Sequence, residues 1–129
     1  MYESGENYLE TILIVKKRKG IVRSIDIANE LNYSKPSVSR AVGMLKKKNY
    51  IHIDKNGYIE LTEEGEGEAN RIYERHKFIT DYFIRVLGVS EEVAEQDACR
   101  VEHVISDETF FKIKNHVIGL NDNSNKENK

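Results

Sequence analysis

The sequence holds one cysteine, one proline, no tryptophan and no apolar run of the length a membrane span needs. A single cysteine cannot close an intramolecular disulfide, so Cys99 is left for thiol chemistry or metal ligation. The start, MYESGENYLE, lacks the basic and apolar regions of a signal peptide; a cytoplasmic location and no membrane partner are expected. There is no glycine-rich phosphate loop, no internal repeat and no H-E-x-x-H pair. At 129 residues the chain has room for one domain, or a small domain with a helical appendage, and not for two large ones. With 39% hydrophobic and 33% charged residues it can build a core and a solvated surface.

A large net charge is also lacking, but the total of −2 conceals a split. Residues 1–60 carry 11 Lys and Arg against 7 Asp and Glu (net +4), and residues 61–129 carry 9 against 15 (net −6). A basic front half and an acidic rear half imply two separate jobs.

From Ser4 to about Lys17, Tyr8, Ile12 and Val15 recur at helical spacing, and KKRKG supplies a helix end. RSIDIANEL predicts a short second helix with Ser24 as N-cap, Asp26 in the first turn and Ile27, Ala28 and Leu31 on one face. A third helix follows with Ser34 as N-cap, Pro36 in the first turn and a core stripe of Val38, Val42 and Leu45. Ile51 and Ile53, then Ile59 and Leu61, alternate around KNG, a tight-turn signal for a two-stranded hairpin.

This order predicts a mainly α chain with a small β-hairpin: a winged helix-turn-helix over residues 1–62. Residues 63–118 read as a helical region of three helices in series. The first has the stripe Ile72, Ile79, Phe83 and Val86, is weakened by Gly65 and Gly67, and stops at Gly88. The second is capped by Ser90, with Ala94, Ala98, Val101 and Ile105 as its stripe, and the third by Ser106. Residues 119–129, polar and without periodicity, read as a disordered tail.

Opposite the core stripe of the third helix lie Pro36, Arg40, Gly43 and Lys47, with Ser37 and Ser39 at the borders. Small residues allow close approach to the major groove, and Arg40 has the reach for the O6 and N7 acceptors of guanine. Ser37 and Ser39 suit phosphate or base edges, and Lys46, Lys47, Lys48 and the wing residue Lys55 suit phosphates. A lysine run ending a helix also complements the helix dipole without any DNA.

In the rear half Cys99, Glu102 and His103 share a helix face, and Glu95 extends the row. A thiolate, a carboxylate and an imidazole suit Fe(II), Mn(II), Zn(II) or Co(II). His76 interrupts the stripe of its own helix, and Asn7 and Glu10 form an i, i+3 pair on the first helix. Each also has a plainer reading: a small buried cysteine, a surface ion pair, a core histidine.

The segments GENYLETI, SKPSVSRAV, YERHKF and DACRVEHVISDE together resemble the diphtheria-toxin-repressor family of metal-dependent transcriptional regulators, from about residue 4 to 117. The resemblance implies an N-terminal winged helix, a helical dimerisation region and Fe(II) or Mn(II) as co-repressor. It also implies a metallated homodimer on palindromic promoters of metal-uptake genes. Cys99, Glu102 and His103 match the iron-responsive branch, with Asn7 in place of a methionine. Glu10 matches the manganese-responsive branch, where Asn7 replaces an Asp and Cys99 a Glu. His76 matches both branches, and the second iron site falls on Thr80 and Glu95. The thiolate at Cys99 favours Fe(II), whereas Glu10 and the short chain, which lacks the SH3-like domain of longer relatives, favour the manganese type; Fe(II) is the expected ion and Mn(II) the alternative. No enzymatic activity and no small-molecule substrate are expected. The rivals are a metal-independent winged-helix regulator with Cys99 and His76 in its core, and a small metallohydrolase using a Zn-bound water near Glu102.

Overall fold

Leu9, Ile12, Leu13 and Val15 line one side of a 17-residue helix, α1 (Glu3–Lys19), in the computed structural model of the chain, which describes residues 3–127 and the side chains of 5–122. Lys16, Lys17, Arg18 and Lys19 occupy its last turn, and Gly20, at φ +87°, accepts the left-handed conformation that ends it. The Gly20 N–H donates to the Lys16 carbonyl at 2.8 Å.

α2 (Ser24–Leu31) and α3 (Lys35–Lys47) follow. The expected cap of α2 is corrected: Arg23, not Ser24, holds the N-cap position. Its backbone N–H donates to the Asp26 carboxylate at 2.9 Å, and Lys19 pairs with the same group at 2.7 Å. The acid in the first turn therefore takes over the capping role from the serine. Asn32 ends α2 in the left-handed region, and the Tyr33 N–H donates to the Ala28 carbonyl at 3.1 Å. At α3, Ser34 is the N-cap and accepts the Ser37 N–H, and Pro36 sits in the first turn, as the sequence predicts.

β1 (Ile51–Ile53) and β2 (Ile59–Leu61) pair antiparallel, with Ile51 opposite Leu61 and His52 opposite Glu60. The link is longer than a two-residue turn. The Asp54 carboxylate accepts the N–H groups of Asn56 and Tyr58 at 2.8 and 3.0 Å, and Gly57 stands at φ +82°. Ile59 also donates its N–H to the Val22 carbonyl at 2.7 Å, fastening the wing to the segment before α2.

α4 (Glu63–Arg85) starts where the hairpin ends, despite its two early glycines. Gly65 has a packing reason to be there: a Cβ at this position would lie 1.9 Å from the Tyr50 carbonyl oxygen. That oxygen already accepts the Thr62 N–H at 3.0 Å, and the Thr62 hydroxyl accepts the Gly65 N–H at 3.1 Å. The helix start is thus pressed against backbone that only glycine leaves room for.

The chain divides into two compact units between Arg71 and Ile72, so α4 contributes to both. In the second unit α5 (Glu91–Val101) and α6 (Asp107–Glu127) follow. Ile79, Ala98 and Phe110 form its buried centre, with Phe78, Phe83, Val101, Ile105 and Ile113 packed around them. Val86, expected in the α4 stripe, is exposed because the helix stops at Arg85 and the 3.6-residue period stops with it. The Gly88 N–H (φ +72°) bonds the Ile84 carbonyl and the Val89 N–H the Phe83 carbonyl, closing that end. Ser106 caps α6 by accepting the Thr109 N–H at 3.1 Å. The polar segment from Gly119, expected to lack structure, continues α6 to Glu127; extending an anchored helix costs far less than starting one. The last two residues of that expected tail lie outside the described residues. No helix among the described residues is long and apolar enough to cross a membrane.

Candidate metal centre and DNA-reading face

On α3 the buried side is Val38, Val42 and Leu45, which turns Pro36, Ser39, Arg40, Gly43, Lys46 and Lys47 to solvent. Lys55 is exposed in the wing loop. Ser37 differs from its fellows: it is half-buried, its N–H and hydroxyl are both engaged with Ser34, and it belongs to the cap more than to the outward face. Arg40, Lys46, Lys47 and Lys55 make no ion pair among the described residues, whereas Arg18, Lys19 and Arg71 are paired with Glu30, Asp26 and Glu6. The recognition helix and wing thus carry four cations that no acidic side chain among the described residues engages, where phosphates would meet them.

The rear-half constellation lies across the end of a helix. α5 ends at Val101, earlier than the stripe through Ile105 suggests, and a turn carries Glu102 and His103. Cys99, in the last turn of α5, is exposed, while the side chains of Glu102 and His103 are 0% and 3% exposed. Cys99 therefore differs from Glu102 and His103 in exposure, while Glu102 keeps helical backbone geometry with its N–H on the Ala98 carbonyl.

Glu102 is the centre of what the second unit does bring together. Its Oε2 lies 2.8 Å from His76 Nδ1, reaching from α4, and its Oε1 lies 3.3 Å from His103 Nε2. His76 Nε2 in turn faces Glu95 Oε1 at 3.6 Å. Oε1 of Glu102 is buried and accepts no hydrogen bond among the described residues, and the Thr80 hydroxyl is in the same position. Asn7, half-buried, and Glu10, buried, lie on α1 in the first unit, and the Asn7 carbonyl accepts the Thr11 hydroxyl at 2.8 Å.

Sequence reasoning missed Arg75. It is 6% exposed and donates from Nη1 to the Ile105 carbonyl at 3.0 Å and, more weakly, to the Glu102 carbonyl at 3.5 Å. Its Nη2 pairs with Asp107, and the guanidinium lies over the Phe110 ring at 5.1 Å. These contacts fasten the segment after α5 to α4, since the Ile105 carbonyl, and more weakly that of Glu102, is held by a side chain of that helix. Arg75 lies three residues after Ile72 and four before Ile79, so its place in the apolar stripe was a readable sign of a buried charge with partners.

Two family models match in tandem. "Iron dependent repressor, N-terminal DNA binding domain" matches residues 1–61, and "Iron dependent repressor, metal binding and dimerisation domain" matches residues 62–123. The chain belongs to the iron-dependent repressor family. Among its relatives is an uncharacterized HTH-type transcriptional regulator of Methanocaldococcus jannaschii, 33% identical over 115 residues, covering 88% of this chain and 92% of the relative. The regulator MntR of Geobacillus kaustophilus is 36% identical over 103 residues, 80% of this chain and 72% of that one. Among solved structures, IdeR of T. acidophilum superposes with a TM-score of 0.78 at 26% identity, over 87% of this chain and 53% of that one. The manganese regulator SloR gives 0.78 at 25% identity, over 88% and 53%. The chain therefore spans about half the length of these two solved proteins. The iron-dependent repressors matched here are named as transcriptional regulators, not enzymes.

The site residues fit the divalent ion such a repressor responds to. A fully buried carboxylate with one oxygen lacking a hydrogen bond is costly unless a cation or proton compensates it. Two imidazoles flank that carboxylate, completing a nitrogen and oxygen donor set of the kind first-row divalent ions accept.

Proposed function

We propose that the chain represses metal-uptake genes as a homodimer that binds palindromic operator DNA when loaded with Mn(II) or Fe(II). The observation that carries this reading is the buried Glu102 carboxylate between His76 and His103, in the part of the chain that matches a metal-binding domain. His76, Glu95, Glu102 and His103 hold the ion, Cys99 lies beside them in sequence, and the resemblance adds Asn7 and Glu10 from α1. Bound there, a divalent cation supplies the positive charge that the buried carboxylate lacks. Arg75 keeps the turn carrying Glu102 and His103 in place.

In the basic half, α3 enters the major groove and Arg40 reads guanine, while Lys46, Lys47 and Lys55 neutralise phosphates. Two copies related by a twofold axis present two such helices, which is why the operator is palindromic.

Mn(II) is the favoured ion, because the donors gathered around Glu102 are carboxylate and imidazole. Fe(II) is favoured by Cys99, whose thiol is exposed in the last turn of α5. Two substitutions test these assignments by metal titration against a chromogenic chelator. Glu102→Gln keeps the shape and removes the charge, and is expected to weaken Mn(II) binding at least tenfold without unfolding the apo protein. Unchanged affinity would contradict the site. Cys99→Ser leaves Mn(II) affinity intact under the Mn(II) reading; a drop of tenfold or more confined to Fe(II) would favour the thiolate reading.

A further inference from the structure

Two tyrosine rings are among the contacts between α1 and the helix-turn-helix. Tyr8, which follows Asn7 on α1, is 6% exposed, and its ring stands edge-on to Tyr33 with centroids 5.9 Å apart and planes at 61°. Tyr33 lies in the turn between α2 and α3, directly before Ser34, the cap of the recognition helix. That turn is stiff: Asn32 is left-handed, the Tyr33 N–H is bonded to Ala28, and Ser34 accepts the Ser37 N–H. A displacement of Tyr33 therefore moves the cap of α3 rather than dissipating in the loop. Tyr8 also sits within electrostatic reach of Arg40, the residue proposed to read bases. Burial, then Tyr33, pushes the Tyr8 phenol up, and the Arg40 guanidinium acts in the opposite direction.

We infer that the Tyr8–Tyr33 ring contact is a positioning element that transmits metal ligation at the head of α1 to the recognition helix. The inference rests on the proposed function, in which Asn7 and Glu10 flank Tyr8 as ligands. Metal that fixes this part of α1 fixes the edge against which Tyr33 packs, and with it the first turn of α3. Tyr33 is 46% exposed, so the ring is not held there by burial alone; an aromatic partner gives it one preferred place. An edge-to-face pair carries an interaction worth roughly a two- to tenfold change in an equilibrium, which bounds the coupling this contact supplies.

The test is the ratio of DNA affinity with saturating Mn(II) to that in chelator, read by anisotropy of a labelled DNA from the protein's own promoter region. It is measured for the unaltered protein, Tyr33→Phe, Tyr33→Ala, Tyr8→Leu and the double variant Tyr8→Leu/Tyr33→Ala. Tyr33→Phe keeps the ring and is expected to keep the ratio. Tyr33→Ala and Tyr8→Leu are each expected to lower it about two- to tenfold, and the double variant no further, because both remove the same contact. A ring that only supports the fold or only touches DNA would weaken binding equally in both metal states, and an unchanged ratio in Tyr33→Ala would overturn the inference. Tyr33 is exposed enough for that variant to fold even where Tyr8→Leu does not. No metal response in the unaltered protein would overturn the proposed function and this inference together; a full response retained by the variants would overturn this inference alone.

Discussion

Replacing Arg75 by methionine retains the length of the side chain and removes every donor. Its charge-assisted bond to the Ile105 carbonyl, at 3.0 Å and partly buried, contributes about 1.5–3 kcal/mol. The 3.5 Å approach to the Glu102 carbonyl adds little, and the guanidinium over Phe110 adds about 1 kcal/mol. The pair with Asp107 is worth less than its geometry suggests, because the Asp107 side chain is 78% exposed and rehydrates when the partner is lost. The expected loss is about 3 kcal/mol, or a fall of roughly 10 °C in the melting temperature of the apo protein. Because the same bonds hold the turn carrying Glu102 and His103, Mn(II) affinity is expected to fall about 10- to 100-fold, as when an outer-shell partner is removed. Circular-dichroism melts and chelator-competition titrations measure the two effects. Asp107→Asn is the internal control, expected to shift stability by less than about 1 kcal/mol. An Arg75→Met protein that melts within 2 °C of the original and binds Mn(II) as tightly would refute the reasoning.

Three further outcomes are expected. Gly65→Ala gains about 1 kcal/mol of helix propensity but drives a methyl into the Tyr50 carbonyl, so net destabilisation of about 2 kcal/mol or more is expected; a denaturant melt showing stabilisation would contradict the close approach. Arg40→Ala is expected to cost about 1–3 kcal/mol of operator affinity at unchanged metal affinity; equal discrimination against scrambled DNA before and after the change would remove Arg40 from base reading. Asp26 is held below the usual carboxylate range by Lys19 first and the Arg23 N–H second. Folding lowers its pKa, so its contribution is complete above the unfolded value of about 4 and disappears as pH falls through the lowered folded value. Asp26→Asn should remove that part of the acid dependence in melts between pH 2 and 5, and an unchanged profile would count against it.

The winged helix was legible because its signals are local. Ser34 and Pro36 start α3, KNG marks the wing, and the apolar residues of α3 repeat every three to four positions. Gly65 was misread because a glycine in a helix start looks like a weakness until its neighbour, Tyr50, is known. The site was half legible. His76 stood out as a polar residue in an apolar stripe, and the spacing of Glu102 and His103 drew notice. That spacing assumes a helix running past Val101, whereas the helix stops there and Arg75, 26 residues earlier, fastens the segment that follows. A contact between α4 and that segment leaves no local period in the sequence, so the difference between exposed Cys99 and buried Glu102 could not be read from spacing.

Metal dependence of DNA binding is the central claim, and anaerobic anisotropy of the unaltered protein on a DNA from its own promoter tests it most directly. Chelator, Mn(II) and Fe(II) are compared at one ionic strength, since phosphate contacts make affinity salt-dependent. The account predicts weak binding in chelator and tightening by about tenfold or more with metal, at lower concentrations of Mn(II) than of Fe(II). Equal affinity in all three would contradict it, leaving a DNA reader whose buried Glu102 and its two histidines serve the fold alone.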